Sequence, residues 1–217
     1  MDDLELQRAL TEELEWAPHI DASRVTVSVR DGIVRLTGSV SSLAEKKAAE
    51  RTVWHIRGVR GLAQEIKVRI PEAQRQTDDE LAHRVMSVLR WDTEIPADHI
   101  QIQVEHGIVK LIGSMDWQFQ RTEAEERVHR LAGVKHVDNQ LVVRRSDDAT
   151  SDIKARVERA FQRHAELHSA GITIQVNGNK ITLTGHVPTL NDLYTAENVA
   201  WCASAVAQVD NRLLVQP

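Results

Sequence analysis

Val25-Thr26-Val27-Ser28-Val29-Arg30-Asp31-Gly32-Ile33-Val34-Arg35-Leu36-Thr37-Gly38-Ser39-Val40 reads as two strands joined by a tight turn. Val25, Val27 and Val29 alternate with Thr26, Ser28 and Arg30, the period of two of a half-buried strand. Asp31-Gly32 tolerates the positive φ that a two-residue hairpin turn needs. On the returning strand Val34, Leu36, Gly38 and Val40 share one face. Gly38 is therefore expected to point inward and to let a helix cross the sheet closely.

The returning strand recurs as Gly107-Ile108-Val109-Lys110-Leu111-Ile112-Gly113-Ser114-Met115 and as Asn179-Lys180-Ile181-Thr182-Leu183-Thr184-Gly185-His186-Val187. Gly38 to Gly113 is 75 residues, and Gly113 to Gly185 is 72. These offsets also align Gly58-Val59 with Gly133-Val134 and Ala205-Val206, and Ile66 with Leu141 and Leu213. The other turns are His106-Gly107 and Gly178-Asn179. Each unit exceeds the roughly 20–50 residues of a solenoid repeat, so each is expected to be a small domain. The units are 1–70, 78–145 and 151–217, joined by polar stretches.

Working outward, Leu6, Leu10 and Leu14 recur as Leu81, Val85, Leu89 and as Ile153, Val157, Phe161, one face of a helix before each hairpin. A second helix follows the hairpin. Ser42 and Glu45 form a capping-box pattern at its start. Ala49, Val53 and Ile56 give its apolar stripe, matched by Ala124, Val128, Leu131 and by Ala196, Ala200, Ala203. The recurrent alanine is expected to cross the sheet over the strand glycine. A last strand carries an inward amide: Gln64, Asn139 and Asn211. A hydrogen-bonded strand-start cap is expected there. The fold class is thus α+β: three tandem αββαβ modules, each a small mixed three-stranded sheet with two helices on one face. Periodicity leaves open which hairpin strand the last strand joins. Units this small bury only about 60% of their unfolded surface, so neighbours are expected to share buried contacts.

The V-x-V…G-x-V-x-L-x-G-x-V hairpin, the G-V…N-x-L-V-V tail and the αββαβ order resemble the BON domain family, in three tandem copies. The resemblance implies a non-catalytic binding module of the osmotic-shock and stress class, without a cofactor. It implies association with an anionic phospholipid surface or a protein partner. Potassium binding or sensing, known in one branch, is the alternative.

The rest of the sequence narrows these readings. The chain has 217 residues, 27 basic and 32 acidic, net charge -5, with 41% hydrophobic and 27% charged residues. An acidic chain whose outward strand positions carry no aromatic residue for base stacking is not expected to bind nucleic acid. No apolar run approaches the 18 residues of a spanning helix. Met1-Asp2-Asp3-Leu4-Glu5 shows no secretory signal, so the cytoplasm is the expected compartment. One cysteine, Cys202, excludes a disulfide framework. His164 and His168 lie at i, i+4 but lack the glutamate of a zincin motif, and no histidine recurs across the repeats. Adjacent acids such as Glu12-Glu13 point apart on a helix and make poor catalytic pairs. The most basic stretch, Lys46, Lys47, Arg51, Arg57 and Arg60, is the candidate anionic-surface patch. Gly32, Gly107 and Gly178 are the turn positions, and Gly38, Gly113 and Gly185 the crossing positions. Of the five tryptophans, Trp54 and Trp201 neighbour core positions and are expected to pack between repeats, with anchoring at a membrane interface as the alternative.

Overall fold

The computed structural model describes residues 2–144, 153–163, 171–178, 180–201, 206 and 208–216. Module 1 runs α1 (Asp3–Trp16), β1 (Val25–Arg30), β2 (Ile33–Val40), α2 (Leu43–Trp54) and β3 (Gly61–Val68). Module 2 repeats it as α3 (Asp78–Trp91), β4 (Ile100–Glu105), β5 (Ile108–Met115), α4 (Gln118–His129) and β6 (His136–Val143). Module 3 follows with α5 (Ile153–Arg163), β7 (Thr173–Asn177), β8 (Lys180–Val187), α6 (Leu190–Trp201) and β9 (Gln208–Val215). Asn179, His164, His168, Cys202, Ala203 and Ala205 lie outside the described residues.

The hairpins form as the alternation predicts. Val25 pairs with Gly38 and Arg30 with Ile33, leaving Asp31 and Gly32 as the turn, at φ +53° and +75°. His106 and Gly107 repeat this at +53° and +80°. Positive φ at both central residues is the type I′ geometry that matches the twist of the flanking strands. The last strand, whose place the sequence left open, runs parallel to the returning strand. The sheet order is β1-β2-β3, and likewise β4-β5-β6 and β7-β8-β9. The central strand is therefore the one carrying the glycine. Both helices cover one sheet face: Leu6, Leu10 and Leu14 of α1 share a buried cluster with Ala49 and Val53 of α2 and with Val34, Leu36 and Ile66 of the sheet.

The strand glycine serves a different purpose from the one its pattern suggests. Gly38, Gly113 and Gly185 have φ of +122°, +150° and +130°. A Cβ at each would collide with the backbone carbonyl oxygen of Arg24, His99 and Gly171, the residue leading into the antiparallel partner. The close approach is made by the neighbouring strand's entry, not by a crossing helix. Ala49, Ala124 and Ala196 are fully buried in the helix–sheet layer without facing that gap.

The inward amides tie the last strand to the second helix. Asn139 donates to Arg121 O at 3.1 Å and Glu125 Oε2 at 2.9 Å, while its Oδ1 accepts from Leu141 N at 3.2 Å. Asn211 makes the same bonds to Leu193 O, Glu197 Oε2 and Leu213 N. These side chains are thus hydrogen-bonded, but across two elements and not as a local cap alone. Gln64, one methylene longer, accepts from Ile66 N at 3.1 Å and leaves its buried Nε2 without a partner. The equivalent acid, Glu50, is instead engaged by Lys47 at 3.2 Å.

Neighbouring modules share buried contacts. Leu43 of α2 lies in the module 2 core, and Leu190 of α6 packs on the module 1 core.

Gly113→Ala is expected to cost on the order of 2–4 kcal/mol through strain and the blocked strand entry. Gly171→Ala, where an added Cβ meets nothing, is expected to be close to neutral. Equal losses in denaturant melts would refute this account. Gln64→Asn should restore the paired amide and add roughly 1 kcal/mol, or about 2–4 °C in melting temperature. A lower midpoint would show that the extra methylene matters more than the unpaired donor.

Candidate functional site

The structure distributes the five basic residues over different surroundings. Lys46 turns to its own sheet, where Nζ donates to Ile66 O at 2.9 Å. Burial pulls the Lys46 pKa below the ordinary lysine value, against the raising effect of Glu50. Lys47 and Arg51 line a cleft between the second helices of different modules. Arg57 and Arg60 lie in the loop from α2 to β3, where the Arg60 stem covers turn residue Gly32. Lys46 is therefore separated from the cleft, and the loop pair stands apart from both.

The hairpin turns are held by aspartates in the first turn of the preceding helix. Asp3 accepts from Asp31 N at 2.7 Å and Gly32 N at 3.0 Å. Asp78 accepts from His106 N at 2.7 Å and Gly107 N at 2.9 Å. Those backbone bonds hold the Asp78 carboxyl below the usual carboxylate range. The recurrence of aspartate at the 75-residue spacing was the available signal. Glu45 likewise extends the expected capping box. Its amide donates to Ser42 Oγ, but its carboxylate accepts from Ser41 N, Ser41 Oγ and, across the module, Asp21 N.

The second helices meet at one repeated pair of positions. By the repeat offsets, Lys47, Thr122 and Tyr194 are equivalent, as are Trp54, His129 and Trp201. Trp54 of α2 stacks on Tyr194 of α6, with ring centroids 4.3 Å apart and planes at 23°. Between α2 and α4 the same positions carry Lys47 and His129, which line one cleft. Module 3 thus meets module 1, and module 1 meets module 2, through the same geometry with different chemistry. Trp54 packs between repeats as expected, whereas Trp201 packs on its own module's core. Trp16 and Trp91, equivalent at the ends of α1 and α3, are 84% and 87% exposed.

Burial lowers the His129 pKa below the ordinary imidazole value. Glu125 at 3.5 Å and Glu126 oppose this, while Lys47 and His136 add to it. Folding therefore favours the neutral ring. The unfolded chain takes up the proton first as pH falls below about 6.5, so this contribution is full above that value and is lost towards the lower folded pKa. The melting temperature should fall more between pH 7 and pH 5 for the wild type than for His129→Gln. Parallel profiles would remove His129 from the junction's energetics.

Among the described residues, no group of three or more His, Cys, Asp or Glu side chains gathers as a metal site would require. Within the same residues, no helix is long and apolar enough to cross a membrane. The BON domain family matches residues 2–70, 77–145 and 149–217, once per module. The chain belongs to the BON domain family. Osmotically-inducible protein Y of Escherichia coli (strain K12) is 26% identical over 147 residues, 65% of this chain and 72% of that protein. Solved structures with lower likeness include the C-terminal domain of CdsD, the structural protein of the type III secretion system of Chlamydia trachomatis. It is 14% identical with a TM-score of 0.27, covering 100% of both chains. The PrgH periplasmic domain is 9% identical with a TM-score of 0.23, covering 89% of this chain and 96% of that one. Scores this low carry no weight for the BON fold described above.

Proposed function

We propose that the protein is a non-catalytic, stress-associated BON protein that engages an anionic phospholipid surface. The supporting observation is the pair of tryptophans, Trp16 and Trp91, presented almost fully to solvent at equivalent helix ends. An indole has an apolar body and a polar N–H, and it gains most at a boundary between water and an apolar phase. Osmotically-inducible protein Y, similar over two modules' length, supports the stress association by its name.

Local charge separates the two tryptophans. Trp16 closes a helix carrying Glu12, Glu13 and Glu15 near its end. Trp91 follows Arg90 and lines a shallow groove with Arg84, Val88 and Leu131. Near an anionic surface each basic side chain contributes about 1 kcal/mol, so module 2 is the better contact. Phosphatidylglycerol vesicles should carry the protein in flotation at low salt. Trp91→Ser and Arg84→Gln should each weaken binding several-fold, and Trp16→Ser much less. Failure to float at low salt would remove the lipid reading and leave a protein partner. Equal effects of the two tryptophan variants would refute the assignment to module 2.

A further inference from the structure

The cleft where the second helices meet encloses about 780 Å3, within the range of small-molecule sites. Its space comes from small residues in α2. Ala44 and Ala48 face it, where module 2 has Phe119 and Glu123 and module 3 has Asn191 and Thr195. One wall is the stacked pair Trp54 and Tyr194, contributed by the first and last modules. Thr122 of the middle module completes the rim. The cavity therefore exists only in the assembled chain.

Its lysine, arginine and carboxylate side chains can be accounted for one by one. Lys47 is paired with Glu50 at 3.2 Å, and Arg130 with Glu126 at 3.3 Å. Glu125 is bonded to Asn139 and faces His129 at 3.5 Å. The Glu45 carboxylate is taken up by backbone and Ser41. Arg51 lines the same cavity and makes no ion pair among the described residues. Burial and the nearby Glu50 and Glu197 hold the Tyr194 phenol above its ordinary pKa, so it stays a neutral hydroxyl. The site thus offers one uncommitted guanidinium, the hydroxyls of Ser42, Thr122 and Tyr194, and an aromatic wall beside two alanines.

We infer that this cavity, built by all three modules, binds a small organic anion with a flat apolar body, its carboxylate or sulfonate held by Arg51 and its body against Trp54. A guanidinium holds such oxyanions through two parallel N–H donors, and the indole and alanines cover the apolar part. The Trp91 groove lies on α3 and takes no part, so this site stands or falls separately from lipid binding.

Anilinonaphthalene sulfonate is a suitable probe, with the neutral phenylnaphthylamine as its uncharged counterpart. The full chain at pH 7.5 should show saturable, one-to-one enhancement of sulfonate fluorescence. Arg51→Gln, at an exposed position, should weaken it about tenfold, or about 1.4 kcal/mol. Ala48→Phe should abolish it by filling the cavity, with circular dichroism reporting whether the variant folds. Trp91→Ser should leave it unchanged. The inference is overturned by no saturable binding, by equal binding of the neutral probe, or by full binding in Arg51→Gln. Loss in Trp91→Ser alone would move the probe to the α3 groove and overturn it equally.

Discussion

A backbone carbonyl passing over a missing side chain sets the shape of every module. Arg24, His99 and Gly171 each bring a carbonyl oxygen into the space a Cβ would fill on Gly38, Gly113 or Gly185. That contact fixes where the first strand begins on the central one, as the pairs Val25–Gly38 and Ile100–Gly113 show. With the register set there, the turn falls on Asp31-Gly32 and His106-Gly107, and the preceding helix can reach it. Asp3 and Asp78 then close the loop by accepting the turn amides. A shift of one residue would send Val27, Val34 and Leu36 to the solvent face. The glycine is thus a register pin, and the buried leucines of the first helix depend on it.

Much of this was legible because each signal is local. Alternation of Val25, Val27 and Val29 with polar residues identifies a strand, and Leu6, Leu10 and Leu14 identify a helix face. The glycine was visible, but its cause was not. A pattern shows that a side chain must be absent without showing what occupies the space. The place of the last strand was also hidden, because parallel pairing is decided by how the crossover helix lies on the sheet. The basic stretch divided for a related reason. Lys46 and Lys47 are adjacent in sequence but point about 100° apart on a helix, one to the sheet and one to the cleft.

The junctions became readable only when the repeats were superposed. Trp54 and His129 have nothing in common as single residues. As equivalent positions they show one docking geometry used twice, with an aromatic stack at one joint and Lys47 and His129 lining one cleft at the other. The shared apolar contacts at Leu43 and Leu190 follow the same arrangement. They supply cover that a module of about 70 residues lacks when alone.

Modules of one fold repeated in a single chain carry a hazard of their own. During synthesis a completed first module can associate with the wrong neighbour, or with its counterpart in another chain, since all share one docking surface. The unlike pairs at the equivalent positions counter this. Tyr194 finds the broad face of an indole in Trp54 but only an imidazole in His129, and Lys47 offered to Trp54 would replace the aromatic stack. Each misplaced arrangement loses a contact that the correct one makes, so the helix positions encode the order of the modules as well as their adhesion.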